Sequence, residues 1–319
     1  MNSIPFAKGL HQIGEGVYVY LQPDGSWGLN NAGLVVSEDQ ALLIDTLYDY
    51  RHTDEMLTAA KQTLEPTAKI EYLINTHSNG DHYFGNGLVK GARIISSAIC
   101  AEEMKIIPPA KMALLMKLWW LLGKAGRYVH SNFKQFDFRG IPLVLPHQTF
   151  SDNLKLQVGK KEIELIEVKD AHTGSDIMVF LPEDKVIFCA DLLFIDGTPV
   201  VWTQGVQSWI DALDRIISLD VDHIVPGHGP VTDKEGVSRL KAYFEYIDAE
   251  SKKRFSQNMN ILNAALDIDL KEFSNWGEPE RVVTTVHAIY QELNPAMKPL
   301  NAVKLFGLIY DYNKISGNK

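Results

Sequence analysis

Thr76-His77-Ser78-Asn79-Gly80-Asp81-His82 follows the apolar run Ile70-Glu71-Tyr72-Leu73-Ile74. Two imidazoles, a carboxylate and an amide thus share one tight loop at the end of an expected strand. Imidazole and carboxylate are the side chains that zinc and related divalent ions prefer. Three partners lie further along the chain. They are His172 in Asp170-Ala171-His172-Thr173-Gly174-Ser175, Asp191 in Cys189-Ala190-Asp191-Leu192, and His228 in Pro226-Gly227-His228-Gly229.

Working outward, the chain before the loop reads as strands at 17–21, 33–36 and 41–44, a helix at about 50–64, and a strand at 70–75. The second half repeats this grammar. Strands at 154–158 and 163–168 flank Gly159-Lys160-Lys161, and strands at 177–181 and 185–189 flank Pro182-Glu183-Asp184. A helix at 207–219 precedes a strand at 221–225. Strands dominate with helices between them, which predicts two sheets packed face to face with helices outside. Two segments stand apart. Residues 104–127 contain an apolar, aromatic helical insertion with Trp119 and Trp120, and residues 232–316 read almost wholly as helix, with Pro279 near a helix start. The expected division is a catalytic domain over 1–231 and a helical C-terminal extension over 232–319.

The four ligand-bearing loops, in this order and each after an expected strand, resemble the metallo-β-lactamase fold superfamily over residues 10–232. The resemblance implies an α/β fold, an αββα four-layer sandwich with a metal site at one edge of the sheets. It implies two metal positions: His77 and His172 at the first, Asp81, His82 and His228 at the second, and Asp191 bridging them. Asp45, ending an apolar strand, matches an aspartate that stands behind the ligands and orients an imidazole. The departure is Asn79, where the family's His-x-His-x-Asp-His pattern has its second histidine. An amide oxygen is a weaker donor than imidazole for a zinc-like ion. The expectation is therefore a tight second site and a weak first one, with Asn79 either a poor ligand or a hydrogen-bond partner of bound water.

The chemistry that follows is hydrolysis by metal-bound hydroxide of a small ester, thioester, lactone or amide, with Asp81 or Asp191 orienting the water and accepting its proton. The expected cofactor is zinc, one or two ions per chain, with iron or manganese as alternatives. The competing functions are an iron-dependent redox or dioxygenase-type member of the fold and a non-catalytic binding protein. Trp27 is expected to overhang the site. Trp119 and Trp120 either line a lid for a lipophilic acyl group or pack on the C-terminal helices, and the insertion or the tail is a candidate homodimer contact. Gly174 and Gly227 are read as turn glycines, and Ser175 and Asp176 as loop anchors.

Composition sets the outer bounds. The chain has 319 residues, 45% hydrophobic and 22% charged, with a net charge of −9. That balance argues against nonspecific nucleic-acid binding, which needs a basic face. Cys100 and Cys189 are the two cysteines; they form no disulfide framework, and Cys189 reads as a buried strand residue. No run reaches the roughly 18 apolar residues of a spanning helix. The N-terminus lacks a signal-peptide pattern, so a cytoplasmic location is the expectation.

Overall fold

The computed structural model describes residues 4–317, whose strands form two sheets. The first sheet holds β1 (Gly9–Gly14), β2 (Val17–Leu21), β3 (Ala32–Ser37), β4 (Gln40–Ile44), β5 (Lys69–Ile74), β6 (Arg93–Ser97) and β7 (Gln148–Phe150), side by side in chain order. The second holds β8 (Asn153–Val158), β9 (Lys161–Lys169), β10 (Ser175–Leu181), β11 (Val186–Phe194) and β12 (His223–His228), also in order, with β12 and β8 at its edges. Pairing is antiparallel from β1 to β4 and parallel from β4 to β7. In the second sheet it is antiparallel except between β11 and β12.

Period-two alternation sorts the side chains into layers. In β2, Val17, Val19 and Leu21 face inward, where they meet Ile163 and Leu165 of β9 and Val186 and Phe188 of β11. Tyr20 of β2 joins Leu34 and Leu43 on the opposite face, under α1 (Tyr50–Thr63). Asp49 starts α1 by accepting the backbone N–H of His52 at 2.9 Å. The outer face of the second sheet, with Ile166, Met178, Ile187 and Cys189, packs under helices. The result is the four-layer αββα sandwich.

The remaining helices are α2 (Gly80–Tyr83), α3 (Ala98–Glu103), α4 (Pro109–Lys117), α5 (Gly123–Phe133), α6 (Val206–Ser218), α7 (Lys234–Ser256), α8 (Ile261–Asp267), α9 (Val282–Leu293) and α10 (Ala302–Ser316). Val282, Val286 and Ile289 of α9 share one core with Trp209 of α6 and Ile187 of β11, so the helical extension packs as part of the sandwich. Pro279 sits in the first turn of a short 3-10 helix, as its missing N–H favours. No helix of the described residues is long and apolar enough to cross a membrane.

Some expected boundaries move. The strand expected at 221–225 runs as β12 to His228, because pairing with β11 continues through Ala190↔Pro226 and Phe194↔His228. A proline is tolerated there because β12 is an edge strand with one unpaired side. The insertion expected over 104–127 begins with α3 and ends with α5 at Phe133. The sequence reading does not reach β6 and β7; β7 pairs over three residues only, too few for a periodic signal.

Candidate metal centre

The predicted ligands converge at one edge of the two sheets. Asp45 and His77 leave the carboxyl ends of the parallel strands β4 and β5, and His228 ends β12, the position where open parallel sheets place their sites. His77, His172 and Asp191 offer ligand atoms that all lie within 4.8 Å of one another, and so do Asp81, His82 and His228. These are the two groupings that the family resemblance assigns to two metal positions.

Asp191 is the hub. One of its carboxylate oxygens, Oδ1, is 3.1 Å from His82 Nε2. The other, Oδ2, is 3.3 Å from His172 Nε2, 3.4 Å from His228 Nε2 and 3.7 Å from His77 Nε2. Asp81 Oδ2 adds a contact of 3.5 Å to His228 Nε2. Each imidazole is held from behind. His172 Nδ1–H donates to the Val200 carbonyl at 2.7 Å, and His228 Nδ1–H to the Gly25 carbonyl at 2.9 Å. His82 Nδ1–H donates to Asp45 Oδ2 at 2.8 Å. The Thr76 hydroxyl donates to the same Asp45 oxygen at 2.7 Å and lies 3.1 Å from His77 Nδ1. One buried aspartate therefore fixes His82 directly and His77 through a threonine, the arrangement that aims Nε2 lone pairs forward.

The forward-facing atoms lack partners of their own. His77 Nε2, His82 Nε2 and Asp191 Oδ1 are buried without a hydrogen bond, the 3.1 Å approach of the last two lying outside hydrogen-bond geometry. Buried polar atoms left unpaired are costly, so a cluster of them aimed at one point fits a cation at that point. The electrostatics agree. Burial would raise Asp191, but the imidazoles of His228, His82 and His77 outweigh it and hold the carboxyl well below the usual range. Burial works against a proton on His228, yet Asp191 and Asp81 lift it to about 9. His82 is raised for the same reason, whereas burial carries His77 well down and His172 down to about 4. The pocket is poised to hold positive charge.

Asn79 lies where the missing imidazole would be, its Oδ1 2.7 Å from His172 Nε2. A neutral His172 that donates through Nδ1 has a lone pair on Nε2. It meets Asn79 favourably with the amide turned to present Nδ2–H, or with a cation binding both lone pairs. Backbone shape supports the same edge. Asp45 has φ +61° and Ala190 φ +45°, left-handed conformations that cost on the order of 1–3 kcal/mol each and concentrate at functional sites.

The glycine reading needs correction. Neither Gly174 nor Gly227 has a positive φ, so neither serves a left-handed turn. A Cβ on Gly227 would stand 1.9 Å from Asp191 Oδ1, and one on Gly174 would stand 2.3 Å from Glu103 Oε1. Close approach, not turn geometry, excludes a side chain. The anchors behave as expected: Asp176 accepts the Thr173 N–H at 3.0 Å, and Ser175 Oγ donates to Glu167 at 2.7 Å.

Above the ligands lies a cavity of about 350 Å³. Trp27 lines it, as expected, with Nε1–H donating to the Tyr128 hydroxyl at 2.9 Å and the Arg281 guanidinium 4.0 Å from its ring centre. Trp119 and Trp120 do not line it. Trp119 stacks on His130 with 4.6 Å between ring centres, and Trp120 points to solvent. The insertion instead contributes Met112, Leu115, Leu122, Val129 and Phe133, while its α5 packs against α10, which adds Phe306. Sequence reading missed Glu103, which accepts the Ser78 hydroxyl at 2.8 Å beside the cavity, and Arg281, buried in the cavity wall. No motif marks either; the approach of α3 and of the extension to the site is a tertiary fact.

A family model described as the metallo-beta-lactamase superfamily matches residues 25–228, and the chain belongs to that superfamily. It is 26% identical over 217 residues to the Beta-lactamase-like protein 2 homolog of Caenorhabditis elegans, covering 68% of this chain and 61% of that protein. It is 20% identical over 251 residues to a nitric oxide reductase of Moorella thermoacetica, covering 70% and 54%. Among solved structures, the stereoselective inverting sec-alkylsulfatase of Pseudomonas sp. superposes with a TM-score of 0.67 at 17% identity, over 92% of this chain and 52% of that one. A metallo-beta-lactamase from Pontibacter korlensis gives a TM-score of 0.55 at 19% identity, over 74% and 98%. The chain thus spans 61% or less of the two relatives and of the alkylsulfatase. The 92% share is more than the sandwich alone supplies, so the shared fold runs on into the helical extension.

Proposed function

We propose that this chain is a metal-dependent hydrolase acting on an ester, thioester, lactone or amide that carries an apolar group. One observation carries the reading: two ligand clusters, each within 4.8 Å, meet a cavity walled mainly by apolar side chains, with Asp81, His172, Asp191 and His228 at its floor. Asp81, His82 and His228, with a share of Asp191, would hold a tightly bound divalent ion, zinc first. His77 and His172, with Asp191 and the weak amide of Asn79, would hold a second ion loosely. A bound ion of this kind lowers the pKa of water to about 7 and polarises a carbonyl or phosphoryl oxygen.

The chain's own residues do the rest. Asp81 borders the cavity, and its carboxylate would orient the attacking water and accept its proton. Asp191 keeps four imidazoles in register. Asp45 and the Val200 and Gly25 carbonyls fix their tautomers. Asn79 offers an amide to substrate or water. Trp27, Phe133, Val129 and Phe306 exclude water from the reacting group and bind the apolar part of the substrate.

The test is hydrolysis of a homologous series of acyl esters and thioesters by untagged, metal-loaded protein. The reading expects kcat/KM to rise with acyl length and to vanish on chelation. Absence of turnover across the series after reconstitution with zinc, manganese or iron contradicts it. Arg281, buried in the cavity wall with Nε unpaired, adds sulfate esters to that panel. A second reading, redox chemistry on iron, draws on the relative named a nitric oxide reductase and on a donor set that suits iron as well as zinc. Stoichiometric iron and colour in the purified protein favour it.

A further inference from the structure

The insertion has two faces, and the chemistry above the cavity uses only one. Met112, Leu115, Leu122 and Val129 turn toward the cavity. On the outside, Leu114, Trp120 and Leu121 are 56%, 57% and 69% exposed, and Ile106, at the cavity rim, is 61% exposed. These large apolar side chains, exposed within residues 106–121, are more than the single scattered apolar residues of ordinary surface, and mark this segment as an interaction surface. Its charge says what it meets. Residues 104–127 contain Lys105, Lys111, Lys117, Lys124 and Arg127 and no aspartate or glutamate, in a chain whose net charge is −9. All five cations are exposed. Lys117 and Arg127 have no acidic partner among the described residues, whereas Lys105 and Lys124 pair with Glu102 and Asp311.

We propose that residues 104–127 dock this chain on the surface of an anionic lipid bilayer. Exposed tryptophan and leucine interspersed along one segment with exposed lysine and arginine are the combination that lies in a headgroup interface without crossing it. The helices here are too short to span, which fits docking on a surface. The orientation follows from the rim: Ile106, Ile107 and Val303 both line the cavity and reach solvent, so its mouth opens beside the docking face. A lipophilic molecule leaving the bilayer would enter the cavity without crossing water. The docking itself does not depend on the hydrolase reading, and its test does not use activity.

The test is flotation of this chain, metal-loaded, with vesicles of phosphatidylcholine, with and without phosphatidylserine. The expected result is binding to the phosphatidylserine vesicles that weakens with salt. Lys117→Ala and Arg127→Ala should each weaken it about fivefold. The double variant Trp120→Ser, Leu121→Ser should weaken it tenfold or more, because it removes the exposed apolar side chains that would enter the headgroup interface. Neither residue lines the cavity, so circular dichroism and metal content should match the parent and show that the variant is folded. No flotation with either vesicle, or equal flotation of parent and double variant, overturns the proposal. So does a dimer in sedimentation equilibrium that the double variant dissolves, because it assigns the patch to a second copy.

Discussion

The floor and the walls of the cavity are built on opposite principles. On the floor, every imidazole is fixed by a named acceptor, and Asp45 serves two of them within 3.1 Å contacts. In the walls, Val129, Phe133, Leu115 and Phe306 are held by packing among α4, α5 and α10, with no specific polar partner. Directional contacts tolerate almost no displacement, whereas apolar packing tolerates exchange of shape at similar volume. Substitutions on the floor should therefore change metal binding, and substitutions in the walls should change which substrate is preferred.

The contrast breaks most sharply at Asp191. Asp191→Ala removes the carboxylate that faces all four imidazoles, and metal affinity should fall by more than about 100-fold, beyond the range seen for outer partners; titration with zinc reads it. Gly227→Ala tests the same point sterically. Its Cβ would stand 1.9 Å from Asp191 Oδ1, so metal should be lost together with about 1–3 kcal/mol of stability, seen by calorimetry. Asp45→Asn keeps the shape but weakens the grip on His82 and Thr76, and should cost about 10–100-fold in metal affinity. In the wall, Val129→Phe should leave metal content unchanged while raising KM for the longest acyl substrate by roughly 10-fold, the order expected for steric discrimination in an apolar pocket. Trp119→Ala, Trp120→Ala should do least: KM across acyl lengths in solution stays at the parent value, because neither ring lines the cavity.

The same contrast explains what was legible in the sequence. The floor is local. His77, Asp81 and His82 sit in one heptapeptide, His172 follows β9, and Asp191 and His228 lie near the ends of β11 and β12, so the strands were readable from their apolar runs and the convergence of these residues was what the family resemblance implied. The backbone acceptors could not: the Gly25 and Val200 carbonyls are generic groups that only the fold brings behind His228 and His172. The walls are tertiary throughout. An apolar stripe in residues 104–127 announces burial but not which residues turn inward, so Trp119 and Trp120 stood out by size while Val129 and Phe133 do the lining. Arg281 and Glu103 lie in segments with no motif at all. The strand end at His228 was misplaced by a proline that an edge position accommodates.

Asn79 is where the floor departs from its own pattern, and metal stoichiometry tests that departure most directly. Stripped, untagged protein titrated with zinc should show one tight and one weak uptake step, and Asn79→His should tighten the weak step by supplying an imidazole to the first site. Two ions bound equally tightly, with no change in Asn79→His, would contradict the account of the first site. No uptake of any divalent ion would contradict the metal centre itself.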